Sequence, residues 1–390
     1  MQISQVVGGY LNLFKSRARR SPVNGEGHKR RKRQGAHLAK DVGNWLLHSG
    51  IEEKNGGVAR YHLSDVQRNK PVSTEITGYC ASGLVVLNEQ TGDNRYWSAA
   101  LKKTEFLKSA WDMHAHAMPF ECEGDEKFSY FFDDGIIARG FLAVWRKSGH
   151  PALLSAAVKV GDSMAQHFFD GSAFSPIITL PGKTSLPYEF ARWSRSPGCY
   201  QLKAAMAWRE LWETTKQERF NKLYLQLLHT SLESHRTFLP GCEVETTVMD
   251  RLHAYAYFLE GLLPEIQDPA CREAMQLGIP LLLEYANAIA PQFLRSDVIA
   301  QLLRVQIYAD CAGAVPLNPE VCRKEAALIR EFQSFDPNPR LKGGFWFGRK
   351  DGANIMPFMN PVSTVFCYQA LEMWDRYENG ERHFRWQNLI

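Results

Sequence analysis

Apolar residues recur along this chain at helical spacing, in two kinds of stretch. From Gly135 to Lys147 the sequence is apolar almost all round, with Ile136, Ile137, Phe141, Leu142, Val144 and Trp145, as in a helix buried on most sides. From Pro151 to Phe169 the apolar residues Leu153, Leu154, Ala157, Val158, Met164 and Phe168 keep to one stripe, with Lys159, Asp162 and Gln166 off it. That pattern predicts a surface helix with one face on a core. The turn Ser148-Gly149-His150-Pro151 joins them, and proline fits the first turn of the second helix, where a missing N–H costs nothing. The unit is a helical hairpin, an inner helix followed by an outer one.

The hairpin repeats. A shift of 57 residues carries Gly78, Ala81 and Gly83 onto Gly135, Ala138 and Gly140, Thr91-Gly92 onto Ser148-Gly149, and Ser98–Lys102 onto Ser155–Lys159. Each such pair needs neighbours to bury its apolar face, so repetition predicts an array. The periodicity gives inner and outer partners at 76–90 with 94–111, 134–147 with 151–169, 197–213 with 216–233, 248–264 with 269–289, and 296–312 with 319–334. A last helix at 361–378 has no successor, and a first helix at 37–48 has no predecessor. Pairing these two completes six hairpins. The expected fold is all-α, an (α/α)6 toroid over residues 37–380 closed by its terminal helices, with residues 381–390 a C-terminal tail. Ser196-Pro197, Asn360-Pro361, Asp268-Pro269 and Asn318-Pro319 each read as an N-cap followed by proline at the first helical position.

Composition adds that a 390-residue chain with 45% hydrophobic and 12% aromatic residues can fill so large a core. The net charge of +4 is concentrated at one end, since Lys15–Arg33 carries nine Lys and Arg against one Glu. Without that run the body is mildly acidic, so no nucleic-acid partner is expected. Residues 1–36 read as a basic, disordered tail, with contact through residues 15–33 to anionic lipid or an acidic partner as the functional alternative. Residues 1–14 are too short to span a bilayer. The eight cysteines are scattered without a CxxC pair. Zinc therefore has no support, and reduced cysteines favour a cytoplasmic protein, peripheral to a membrane at most. No metal or organic cofactor is expected.

Turns from inner to outer helices are short, whereas the returns, 112–133, 170–196, 234–247 and 335–360, are long. The long loops therefore gather at the N-terminal ends of the inner helices, where function tends to sit and anionic groups are favoured. The residues there are Glu75, Tyr79, Asp133, Asp134, Arg192, Trp193, Asp250, Arg251, His253, Gln301, Arg304, Trp346 and Asn360. Carboxylates, guanidiniums, amides and aromatic faces converging on one cleft suit a carbohydrate, which presents hydroxyls around the ring and C–H faces above and below it. Each residue also has a structural reading. Asp134 sits where an N-cap belongs, His253 lies four before Tyr257 on an apolar helix, and the arginines fit buried ion pairs.

At Thr74-Glu75-Ile-Thr-Gly78-Tyr79, Asp133-Asp134-Gly135, Arg251–Leu263 and Asp297–Arg304 the chain resembles a group of bacterial α/α-toroid proteins. These are similar to the six-hairpin glycosidases and are found with surface-polysaccharide biosynthesis genes. The resemblance spans about residues 38 to 378 and implies a toroid with a glycan connection. Members typically carry Thr-His where this chain has Arg251-Leu-His253. The leading expectation is a glycoside hydrolase in which Asp134 and Glu75 act as acid and base, while Tyr79, Asp133, Arg192, Trp193, Asp250, Arg251, His253, Gln301, Arg304, Trp346 and Asn360 hold the sugar. A uronate epimerase or lyase, with Tyr79 or His253 as base and arginines neutralising the carboxylate, is the second reading. A non-catalytic glycan-binding scaffold is the third.

Overall fold

The structure, a computed structural model, describes residues 25–114, 116–123 and 127–390. Twelve α-helices run through them: α1 Gly25–His48, α2 Thr74–Thr91, α3 Asn94–Met113, α4 Phe131–Ser148, α5 Pro151–Phe168, α6 Leu202–Thr215, α7 Glu218–Ser234, α8 Glu245–Gly261, α9 Pro269–Ile289, α10 Ser296–Cys311, α11 Pro319–Glu331 and α12 Pro361–Glu378. The even-numbered helices form an inner ring. Each packs on the next, and α12 packs back on α2. The odd-numbered helices lie outside, with α1 against α12 and α2. This is the (α/α)6 toroid that the hairpin repeat predicts, closed by its terminal helices.

The repeated small residues are where the inner helices meet. A Cβ on Gly140 would lie 2.9 Å from the carbonyl oxygen of Gly78, and one on Gly78 would lie 3.1 Å from Ile137 Cα. On Gly135 it would stand 2.5 Å from the backbone of Ala204 in α6. The ring closes on the same device, Gly83 meeting Val365 of α12. The expected caps form at Asp268, Asn318 and Asn360, whose side chains accept from backbone N–H groups of the following turn. Ser196-Pro197 does not open α6. A turn of 3-10 helix at Cys199–Gln201 intervenes, and α6 starts at Leu202.

Two expectations at the chain ends are corrected. Of the expected tail, residues 1–24 lie outside the described residues, as does most of the segment assigned to lipid or an acidic partner. The chain is already helical from Gly25, because Lys, Arg, Gln and Glu propagate an existing helix at little cost. Residues 381–390 are not a free tail. Leu389 and Ile390 are each 2% exposed. Arg139 donates to the carbonyls of Trp386, Gln387 and Leu389, Lys203 Nζ to Ile390 O at 3.1 Å, and Gln369 to Asn388 O at 2.7 Å. Arg146, near the end of α4, donates to Gln387 O, so this segment stops the end of the ring where the inner helices finish. Between it and the other end lies a buried ion cluster. The Glu260 carboxylate takes Arg304 at 2.5 Å and Lys203 at 2.9 Å, all three fully buried. Burial alone would raise Glu260, but the two cations hold it below its usual range.

Among the described residues no helix is long and apolar enough to cross a membrane, and all eight cysteines are free.

Because the α4–α6 contact leaves no room for a methyl group, Gly135→Ala should destabilise the fold despite the better helix propensity of alanine. The expected loss is about 1–3 kcal/mol, the usual cost of overpacking, read as a lower denaturant midpoint. An unchanged or raised midpoint would show that these helices are not seated on each other at that glycine.

Candidate active site

Three inner helices are entered directly from short strands. Val72–Ser73 leads into α2, Lys127–Tyr130 into α4, and Phe293–Arg295 into α10. The second of these strands pairs with Ile177–Leu180 and the third with Gly348–Lys350. This pairing fixes the first turns, so that Glu75, Asp133 and Asp297, within the first three residues of their helices, face one hollow. The cavity measures about 250 Å³. Glu75, Asp133, His253, Arg295 and Asp297 line it beside Asn360, with Phe120, Tyr130, Phe132, Trp193 and Tyr257 as apolar walls. A larger depression of about 710 Å³ lies on the outer side, at the seam between α1 and α12, away from these helix starts.

Burial pushes Glu75 up to about 7, with the Arg60 charge working against it. Asp133 is 5% exposed. Burial, then the neighbouring charge of Glu75, raises it well above the carboxylate range, and its Oδ2 has no hydrogen-bond partner in the protein. Asp297 behaves in the opposite way. Burial favours its neutral form, but a bidentate pair with Arg295, at 3.0 and 2.8 Å, keeps it ionised and below its usual range. The remaining arm of Arg295 reaches Asp250 at 2.7 Å, and its guanidinium stacks over the Phe347 ring at 4.5 Å. Thus every nitrogen of the cavity's arginine faces an aspartate. Arg60, whose charge reaches Glu75, pairs with Glu121 at 3.1 Å. Among the described residues, no cation lining the cavity lacks a carboxylate partner.

His253 Nδ1 lies 2.6 Å from Gln301 Oε1. With Gln301 Oε1 as acceptor the proton lies on Nδ1; with the amide turned, its otherwise unpartnered Nε2 donates to Nδ1 and the proton lies on His253 Nε2. Burial, then the Arg295 charge, lowers His253 to about 4, so the ring is neutral at physiological pH. It packs on Tyr257 with centroids 4.4 Å apart, and Tyr257 shares a hydroxyl–hydroxyl hydrogen bond of 3.0 Å with Tyr79. Burial pushes both phenols up, so both stay protonated.

The structure brings Glu75, Asp133, Trp193, His253 and Asn360 onto the cavity wall, with Tyr79, Gln301 and Asp250 behind them. It does not place the others there. Asp134 is the main correction. The helix starts at Phe131 rather than at Asp134, and Tyr130 is its N-cap. Consecutive helical residues point about 100° apart. Asp134 therefore turns away when Asp133 faces the hollow, and its carboxylate accepts from Ser129 at 3.2 Å. Arg304 is sealed in the ring's axis with Glu260. Arg251 donates to the Phe238 carbonyl and lies over that ring at 4.2 Å. Arg192 is exposed on a loop, paired with Glu189. Trp346 lies outside the lining, its carbonyl accepting from Ser296. Arg295 and Asp297 stand at the rim in the sequence, opening the fifth inner helix, but neither they nor Tyr257 carries a role in the sequence reading. Tyr257 was within reach of sequence, since a residue four after His253 shares its helical face. Phe120 comes from an irregular loop with no periodic signal.

No protein-family model and no curated protein sequence matches the chain. Solved structures do. Cellobiose 2-epimerase from Spirochaeta thermophila DSM 6192 superposes with a TM-score of 0.65 at 13% identity, over 92% of this chain and 100% of that one. A sugar epimerase from a ruminal bacterium gives 0.63 at 11% identity, over 87% of this chain and 98% of that one. Unsaturated glucuronyl hydrolase from Bacillus sp. GL1 gives 0.62 at 12% identity, over 89% and 97%. At such identities the likeness is one of fold, and the toroid is common to all four chains.

Proposed function

We propose that this protein is a carbohydrate-active enzyme that hydrolyses a glycosidic bond to an uncharged sugar, with Asp133 as proton donor and Glu75 as base. The observation that carries the reading is the pairing of these two carboxyl groups in one cavity, Glu75 at about 7 and Asp133 well above its usual range. At neutral pH one is then available to give a proton while the other takes one. Asp133 protonates the leaving oxygen. Glu75 takes a proton from the water that attacks the anomeric carbon. Trp193, Tyr257 and Phe120 offer flat faces to the C–H sides of a ring. The named neighbours act on sugars, which supports the substrate class by analogy of fold only.

The uncharged substrate follows from the ion pairs. The uronate reading called for arginines to neutralise a carboxylate. Arg192, Arg251 and Arg304 are engaged elsewhere, and Arg295 is already shared between two aspartates. A second reading, epimerisation or isomerisation of a neutral sugar, is favoured by one feature: His253, on the cavity wall and held neutral by burial, could remove a proton from carbon.

The direct test is a panel of neutral and uronate-containing oligosaccharides, incubated in deuterated water and read by mass spectrometry. Cleavage of neutral members supports hydrolysis. Deuterium uptake without cleavage moves the assignment to His253. If no member is changed, the hydrolase assignment loses its support. Given a turned-over substrate, Glu75→Gln and Asp133→Asn should each lower kcat by about 10²–10⁴-fold, with melting temperatures near that of the parent protein. Asp134→Asn should leave kcat within a few-fold, because that side chain is buried, bonded to Ser129 and turned away. A collapse of kcat in Asp134→Asn alone would restore Asp134 as the acid.

The pH profile has a defined sign. Below about 7 Glu75 holds its proton and the base is absent. The rate should rise as Glu75 ionises through about 7 and fall where Asp133, which burial and the Glu75 charge also raise, loses its proton. Activity that declines as pH rises through neutrality would contradict the assignment.

A further inference from the structure

Two large aromatic side chains stand in solvent beside the cavity. Phe190 is 78% exposed and Tyr188 42%, and their rings pair edge to face with centroids 6.4 Å apart. Exposed apolar groups scattered singly need no explanation, but a paired aromatic surface next to a site does. Both belong to the loop that supplies Trp193 to the cavity wall. Phe190 precedes Trp193 by three residues, so their Cα atoms are at most about 11 Å apart.

The loop is held in place. Glu189 N donates to Arg195 O at 3.2 Å and Arg192 N to Glu189 O at 2.8 Å. Glu189 pairs with both Arg192 and Arg195. The Arg195 guanidinium also donates to Tyr130 Oη at 3.4 Å and lies over the Phe128 ring at 5.5 Å. Tyr130 itself lines the cavity, so one arginine ties the loop to the strand that enters α4. Trp193 packs edge to face on buried Tyr200 at 5.0 Å. The platform and the cavity wall are therefore parts of one braced loop.

We propose that Tyr188 and Phe190 bind a second sugar unit of an oligosaccharide whose terminal unit occupies the cavity. This rests on the carbohydrate reading above but not on the reaction. The cavity, at about 250 Å³, is smaller than the ~300–1,000 Å³ of sites for larger ligands. A longer chain extends beyond it, and Trp193, half-buried on the cavity wall, connects that wall to the loop. That loop carries aromatic faces flanked by Glu189 and Arg192, apolar planes with polar groups at their edges. That surface suits the C–H face and peripheral hydroxyls of a sugar ring.

The test is binding by ligand-observed NMR, in the full chain carrying Glu75→Gln so that turnover does not intervene. The probes are cello-, malto-, xylo- and manno-oligosaccharides from the disaccharide to the hexasaccharide, with the methyl glycosides as one-unit ligands. The parent should bind a longer member of one series more tightly than its one-unit ligand. Adding Tyr188→Ala and Phe190→Ala should remove about tenfold of that gain and leave one-unit binding unchanged. Both side chains are exposed, and an unchanged melting temperature confirms the fold. Equal dependence on chain length with and without the aromatics overturns the proposal, as does an absence of binding throughout. So does light scattering that shows a dimer lost with the two aromatics, since the surface would then be a contact between copies. If the length effect appears and is lost as expected while the protein lacking the Glu75 substitution cleaves nothing, the platform stands and the hydrolase reading alone falls.

Discussion

The closeness of the inner helices sets everything else in this molecule. Gly78 and Gly140 let α2 and α4 touch backbone to backbone, Gly135 does the same for α4 and α6, and Gly83 seats α12 against α2. Side chains at those places would widen the ring. With a wider ring the starts of α2, α4 and α10 would stand further apart, and Glu75, Asp133 and Asp297 would no longer border a space of one sugar's size. The position of the chemistry is thus a consequence of backbone packing some turns away. Interiors packed at crystal density transmit such changes rather than absorb them.

The ring has two unlike ends. Where the inner helices finish, the carbonyls of residues 386–390 accept from Arg139, Lys203 and Arg304, and Leu389 and Ile390 fill the middle. Glu260, fully buried between Arg304 and Lys203, offsets part of the positive charge collected there. Buried cations without partners would be strongly destabilising, so this cluster and the last residues support each other. The result is a floor. Among the described residues the axis opens at the end where the inner helices begin, which is also where the long return loops lie. Scaffold and access agree.

Most of this architecture was legible in the sequence. The hairpin repeat carries it, since an apolar-all-round helix followed by a one-sided helix can be satisfied only by inner and outer layers. Three of the four expected proline-associated caps form as read. What failed was phase. The inner helix of the second hairpin begins at Phe131, three residues before the Asp134 start that capping chemistry suggested, because the strand at Lys127–Tyr130 pairs with Ile177–Leu180 and delivers the chain in helical register early. A shift of that kind exchanges which of two adjacent aspartates faces the cavity, and nothing local to Asp133-Asp134 records it. The arginines failed for a related reason. Position along a helix does not say how deep a side chain lies, and Arg304, two turns into α10, is sealed in the axis. The loop aromatics were visible as residue types, but only the fold separates Trp193 in the cavity from Trp346 outside it.

The three carboxyl groups at the helix starts begin from similar circumstances and end in different states, and one arginine accounts for the difference. A helix N-terminus favours negative charge by about 0.3–1 kcal/mol at exposed positions, too little to hold an ion in a dry cavity. Asp297 keeps its charge because Arg295 grips both of its oxygens, while Asp250 takes the arm that remains. Glu75 has only the indirect help of Arg60, and Asp133 has no cation among the influences that set it. Ionising Asp133 would place a second negative charge beside Glu75 with nothing to compensate it. Asp133 therefore holds its proton more tightly than an ordinary carboxylate. An anionic ligand would make the neighbouring charges worse, and a cation would draw the proton away. The neutral ligand proposed above, with an oxygen acceptor at that point, fits this distribution of charge.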